Sequence, residues 1–87
     1  MARYSLEIKR SAAREIEHLP NKKDRRLVVD RISGLAEDPR PSGSEKLAGD
    51  GRYRVRQGLY RIVYEIDDTS RVVRIVKVGH RREVYRR

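Results

Sequence analysis

The order of the apolar patterns predicts an α+β domain, β-α-α-β-β-β, in which an N-terminal helical hairpin packs on one side of a twisted, mainly antiparallel four-stranded sheet. Three observations carry this. Apolar and polar residues alternate over Arg3 to Lys9, apolar residues recur at helical spacing between positions 11 and 35, and strand-like runs return at 52–66 and 71–78. A chain of 87 residues makes one domain, spanning 1–87, with no second core.

Tyr4, Leu6 and Ile8 fall on one side of the first segment and Arg3, Ser5, Glu7 and Lys9 on the other, which is a strand with one buried face. Ser11 is a suitable N-cap for a short helix through Leu19, whose Ala12, Ile16 and Leu19 follow at i, i+4 and i+7. Pro20 ends it. Asn21, with Asp24 three residues on, can cap a second helix to about Leu35, with Val28, Ile32 and Leu35 as its inward stripe.

The stretch from Glu37 to Gly51 gathers three of the six glycines and two of the three prolines and reads as a loop, pinned near its middle by Leu47. A β-hairpin follows, built from alternating Arg52 to Arg56, a turn at Gln57-Gly58, and the apolar run Leu59 to Ile66. With that turn, Arg56 faces Leu59, Arg54 faces Arg61 and Arg52 faces Val63, and all four arginines share one face. Like charges opposed across a sheet are destabilising, so an Arg54/Arg61 pair suggests a place kept for an anion. After a turn at Asp67 to Ser70, a third strand runs from Arg71 to Val78, and Gly79 breaks it. Apolar residues on both faces of the last two strands mark them as inner strands.

The core must be lean, since Phe and Trp are absent and five Tyr join Leu, Ile and Val in the packing. Cysteine is absent too, which excludes disulfides and a thiol nucleophile and fits a reducing, cytoplasmic setting. No run approaches a membrane span, and the start MARYSLEIKR lacks the apolar centre of a signal peptide. Two histidines and scattered carboxylates give no metal-ligand spacing, and no glycine-rich phosphate loop follows a strand, so neither metal nor nucleotide cofactor is expected.

The charge is uneven. Residues 51 to 87 carry eleven Lys+Arg against four Asp+Glu, holding +7 of the net +9, and ten of those eleven cations are Arg. The planar guanidinium fork suits phosphate, so a nucleic-acid backbone is the first partner to consider and an acidic protein surface the second. Arg54, Arg56 and Arg61 can face one site, and Gly79 can redirect the chain to bring His80, Arg81 and Tyr85 to the same surface. Such a group could hold a phosphodiester and stabilise charge developing on it. In RNA the nucleophile is already present as the 2′-hydroxyl. His80 is a candidate for acid/base work and equally for surface structure. Arg52 reads as a solvated strand residue, Tyr53, Tyr60 and Tyr64 as facing the core or a partner, His18 as a helix-end residue, and Asp67-Asp68 as turn chemistry.

The segments KLAGDGRYRVRQGLYRIVYEIDD and VVRIVKVGHRREVYR, with the helical first half in the same order, resemble the RelE/ParE superfamily of bacterial and archaeal toxins, in its RelE-like branch. The resemblance implies a metal-independent mRNA endoribonuclease that works on the translating ribosome and is neutralised by a cognate antitoxin, here expected to be acidic. It implies that Arg54 and Arg56 occupy two basic strand positions and that Arg61 contacts the phosphate in the transition state. Arg81 would lie near the leaving oxygen and Tyr85 would orient or stack the substrate. The family pattern has lysines at the positions of Arg54 and Arg56, and arginine is a poor general base, so the proton acceptor is left to His80, to a ribosomal group, or to none. The alternatives are a ParE-like toxin that poisons DNA gyrase without cutting RNA, and an inactive nucleic-acid-binding member.

Overall fold

In the computed structural model, which describes residues 3–47, 49 and 51–80, the elements follow as β1 (Ser5–Ile8), α1 (Arg10–Glu17), α2 (Lys22–Gly34), β2 (Glu45–Lys46), β3 (Arg52–Gln57), β4 (Tyr60–Asp67) and β5 (Val72–His80). The sheet has five strands in the order β1-β5-β4-β3-β2. The α+β class and the helical hairpin match the sequence prediction, with β2 as an addition. That strand escapes a periodicity test because it has two residues, held by pairing Glu45 with Arg54 and Lys46 with Tyr53. The sheet is mixed, because β1 runs parallel to β5 while the other pairs are antiparallel.

The inward stripes are as the spacing predicts. Ala12, Ile16 and Leu19 from the first helical segment and Val28, Ile32 and Leu35 from the second are buried, packed with Val55, Ile62, Tyr64, Val73, Ile75 and Val78 of the sheet. Asn21 caps α2, its Oδ1 accepting from the backbone N–H of Lys23 at 2.8 Å and of Asp24 at 3.2 Å. Ser11 does not cap α1. The helix begins at Arg10 because Lys9 is still tied to the sheet, donating its N–H to the Ile75 carbonyl, and its own carbonyl then accepts from Ala13. The other end of α1 is closed from outside, where Arg25 Nη1 donates to the carbonyls of Leu19 (3.2 Å) and Glu17 (3.5 Å).

Two predicted details of the sheet are corrected. The hairpin turn lies at Gly58-Leu59, so Gln57 pairs Tyr60, Arg56 pairs Arg61, Arg54 pairs Val63 and Arg52 pairs Glu65. Gly58 has φ +59, at the first central position, where a type II′ turn calls for glycine, and Leu59 is left exposed at the tip. Moving the turn by one residue shifts every partner by two, so the four arginines keep a common face. Gly79 does not end β5, since it pairs Arg61 and the ladder continues to His80 opposite Tyr60.

Beyond Ile75 the outer edge of β5 has no β1 partner, and α1 covers it. Glu15 Oε1 accepts from the Val78 N–H at 2.8 Å while Oε2 meets Lys77 Nζ at 3.4 Å. A carboxylate thus closes a strand edge that would otherwise invite pairing. At the other end, Arg40 forks onto Asp68 (2.9 and 3.3 Å) and donates Nε to the Tyr53 hydroxyl, while Tyr4 donates to Asp68 at 2.7 Å. The Tyr64 hydroxyl, buried, donates to the Pro39 carbonyl at 2.7 Å. These contacts fasten the segment after α2 to the sheet. Burial pushes the Tyr64 phenol up to about 12, against the opposing pull of the Arg31 and Arg40 charges.

Candidate functional site

The helix-free face of the sheet can be read rung by rung from the pairings. One rung, Glu7, Arg74, Glu65 and Arg52 across β1, β5, β4 and β3, alternates in sign, with Arg74 Nε 3.3 Å from Glu7 Oε1 and Arg52 Nε 3.2 Å from Glu65 Oε2. Arg52 is thus a member of an ion ladder. The next rung sets Arg54, Val63 and Lys77 in line, and the one after sets Arg56, Arg61 and Gly79. The cations of the candidate site lie on these two rungs, Arg54 with Glu45 as its strand partner and Lys77 reaching Glu15 at the sheet edge.

Those cations line a cleft of about 390 Å³, with Arg54, Arg56 and Arg61 from the hairpin, Glu45 from β2, Gly43 from the preceding loop and Arg31 from α2. Arg61 is buried, 7% exposed, a costly place for a charge unless an anion answers it. Among the described residues the carboxylate in the cleft is Glu45, whose Oε1 accepts from Arg54 Nη2 at 2.6 Å and Nε at 2.9 Å. The hydrogen bonding and charge of Arg54, followed by the charges of Arg61 and Arg56, hold the Glu45 carboxyl below the usual carboxylate range.

The sequence reading grouped Arg54, Arg56 and Arg61, and the structure brings these three together. It does not bring His80 to them. Paired with Tyr60, His80 lies on the helix side of the sheet, its ring edge-on to the Tyr60 ring at 6.1 Å, in a separate hollow shared with His18. Strand alternation explains this, because continuing β5 through Gly79 sends residue 80 to the face opposite Arg61. Arg81 and Tyr85 lie outside the described residues. Tyr53, Tyr60 and Tyr64 are on the helix side as predicted, with the rings of Tyr53 and Tyr64 stacked at 5.9 Å. His18 donates locally at the end of α1, its Nδ1–H to the Arg14 carbonyl at 2.7 Å. Asp67 accepts from the Ser70 N–H, as a turn residue does.

Two cleft residues were missed in the sequence. Glu45 sits in a stretch that reads as loop, although a strand pairing Glu45 with Arg54 would have matched opposite charges. Arg31 follows Val28 by three and precedes Leu35 by four, so its place beside the inward stripe was legible, but a lone helical arginine reads as solvated. Among the described residues no three His, Asp or Glu side chains gather to hold a metal ion, and no helix is long and apolar enough to cross a membrane.

Comparisons with known proteins fit this geometry. Residues 6–85 match the sequence model of the ParE toxin of the type II toxin–antitoxin system parDE. The chain is 32% identical over 87 residues to toxin RelG of Mycobacterium tuberculosis, covering 97% of this chain and 98% of that protein. It is 34% identical over 85 residues to toxin RelE of the same organism, covering 95% and 87%. Among solved structures, the RelE–RelB complex of Pyrococcus horikoshii superposes with a TM-score of 0.80 at 29% identity, covering 93% of this chain and 97% of that one. The toxin–antitoxin complex RelBE2 of M. tuberculosis does so with a TM-score of 0.78 at 28% identity, covering 90% and 98%.

Proposed function

Because the chain belongs to the RelE/ParE family of type II toxin–antitoxin toxins, we propose that it is a ribosome-dependent endoribonuclease that cleaves mRNA and so stops translation. The observation that carries this reading is the buried Arg61 at a cleft shared with Arg54 and Arg56. Guanidiniums fixed in advance around a phosphodiester stabilise the extra negative charge that develops as a fifth oxygen approaches phosphorus. In the step proposed, the 2′-oxygen bonds to phosphorus and the bond from phosphorus to the 5′-oxygen breaks, giving a 2′,3′-cyclic phosphate and, with a proton taken up from water, a 5′-hydroxyl end.

Glu45 is the carboxylate placed to take the 2′-hydroxyl proton. In the free protein its basicity is low, because Arg54 holds it. When the substrate phosphate takes a share of the arginines, that hold is divided and the carboxylate becomes a better acceptor. By resemblance, Arg81 stands beside the leaving oxygen and Tyr85 stacks or orients a base.

A cognate antitoxin is the second partner of this reading, as the toxins of the two superposed structures are bound to theirs. The net charge of +9 favours an acidic one. A second reading follows from the matched sequence model being that of ParE toxins. The protein would then poison DNA gyrase and cut no RNA. Primer extension and ribosome profiling after induced expression separate these readings. Codon-phased mRNA breaks support the nuclease, a DNA-damage response without RNA breaks supports the gyrase poison, and neither supports an inactive nucleic-acid-binding member.

A further inference from the structure

We infer that Arg31 forms, with the opening at Gly43, a second anion seat in the cleft, for the phosphate adjoining the one at Arg61, so that the protein grips two consecutive phosphates of single-stranded RNA. The inference rests on the reading of the cleft as an RNA site and deepens it.

Charge balance is the first argument. Among the described residues, four guanidiniums, of Arg31, Arg54, Arg56 and Arg61, line the cleft with one carboxylate, Glu45, which is hydrogen-bonded to Arg54. One phosphodiester brings one negative charge. Placed at Arg61, it leaves the Arg31 guanidinium with no carboxylate among the described residues, and a second phosphate is the ligand that supplies an anion there without altering the first seat.

The state of Arg31 is the second. Among the described residues no carboxylate pairs with it, and its buried Nε has no hydrogen-bond partner. A cation in the last turn of α2 is favoured by the helix dipole, which would account for a basic residue there. The dipole does not account for turning the side chain inward, with Nε removed from water, when a solvated guanidinium would serve equally. An anion delivered to the cleft does account for it.

The loop supplies the third argument. Gly43 has φ +93, a conformation that side-chain-bearing residues rarely adopt, and a Cβ there would lie 3.9 Å from Arg31 Nη2. The loop therefore runs within van der Waals reach of the guanidinium and lines the cleft beside it. It is held in that position by Tyr64 on Pro39 and by Arg40 on Asp68.

The test uses uncleavable 2′-O-methyl oligonucleotides, a dinucleotide with one phosphate and a trinucleotide with two, titrated against the full chain by NMR at several salt concentrations. The wild type is expected to bind the trinucleotide about tenfold more tightly, with a salt slope steeper by about 0.7. Arg31→Met should bind both ligands alike, at the wild-type dinucleotide level, while Arg31→Lys keeps most of the preference. Arg61→Met should weaken both. If Arg31→Met fails to give the wild-type fold by its amide spectrum, Arg31→Gln is read in its place. Retention of the trinucleotide preference in the uncharged variant overturns the second seat and leaves the RNA reading standing. Binding of neither oligonucleotide by the wild type overturns both.

Discussion

Arg56 stands directly opposite Arg61 across the β3–β4 ladder, and the carboxylate that answers this like-charged pair, Glu45, is hydrogen-bonded to Arg54 on the neighbouring rung. On the proposed reading the pair is an anion site held at the expense of stability. Replacing Arg56 with Thr should therefore stabilise the fold by about 0.5 kcal/mol in urea melts and weaken RNA binding at the same time. A variant both less stable and equally active would contradict this account of the pair.

In the proposed mechanism Arg61 bears on catalysis more than on folding. Arg61→Met keeps the volume of the buried stem and removes the charge, so cleavage should fall about 100-fold or more with the thermal midpoint held or raised. Loss of activity together with collapse of the fold would assign Arg61 a structural role.

Glu45→Gln separates the two roles proposed for this carboxylate. As proton acceptor it is worth roughly 10²- to 10⁴-fold in rate, and as resident counter-ion it competes with phosphate. The variant should cleave far more slowly and bind uncleavable RNA more tightly. Cleavage at the wild-type rate would remove Glu45 from the chemistry.

Most of the fold was legible, because its signals are local and periodic. The stripes Ala12/Ile16/Leu19 and Val28/Ile32/Leu35 each follow from one helix's spacing, and Asn21 announces its cap. The face of the arginines was legible for the same reason, since strand alternation survives a displaced turn. What escaped depends on non-local geometry. β2 exists only through its partner β3, so Glu45 could not be placed in the cleft from its own neighbourhood. His80 was assigned to the wrong face because a glycine was read as a break, whereas pairing with β4 carries the strand through it. Arg31 reaches the cleft from another layer altogether.

The acid limb of stability should report the depressed carboxyls. Hydrogen bonding from Arg40, and then from Tyr4, holds Asp68 below the usual carboxylate range, and Arg54 does the same to Glu45. A group whose folded pKa is lowered contributes stability that is complete above its unfolded pKa and disappears as pH falls through the folded one. Stability should therefore decline below about pH 4. Asp68→Asn should flatten that decline while lowering stability at neutral pH. An unchanged pH profile in Asp68→Asn would show that the Arg40–Asp68–Tyr4 contacts do not hold in solution.

Capping of α2 offers a check on the fold that is independent of the cleft. Asn21→Ala leaves the N–H groups of Lys23 and Asp24 without their acceptor and should cost about 1 kcal/mol, a fall of roughly 4–8 °C in thermal midpoint. Cleavage measured below the melting range should be unaffected.

The central claim is that the arginine cleft directs the RNA's own 2′-hydroxyl onto its phosphate. The chemistry of the cut ends tests it most directly, with purified protein, programmed ribosomes and mass spectrometry of the mRNA fragments. The account predicts a 2′,3′-cyclic phosphate or 3′-phosphate on one fragment and a 5′-hydroxyl on the other, both lost in Arg61→Met. Fragments bearing 5′-phosphates and 3′-hydroxyls, or intact mRNA with wild-type protein, would contradict it.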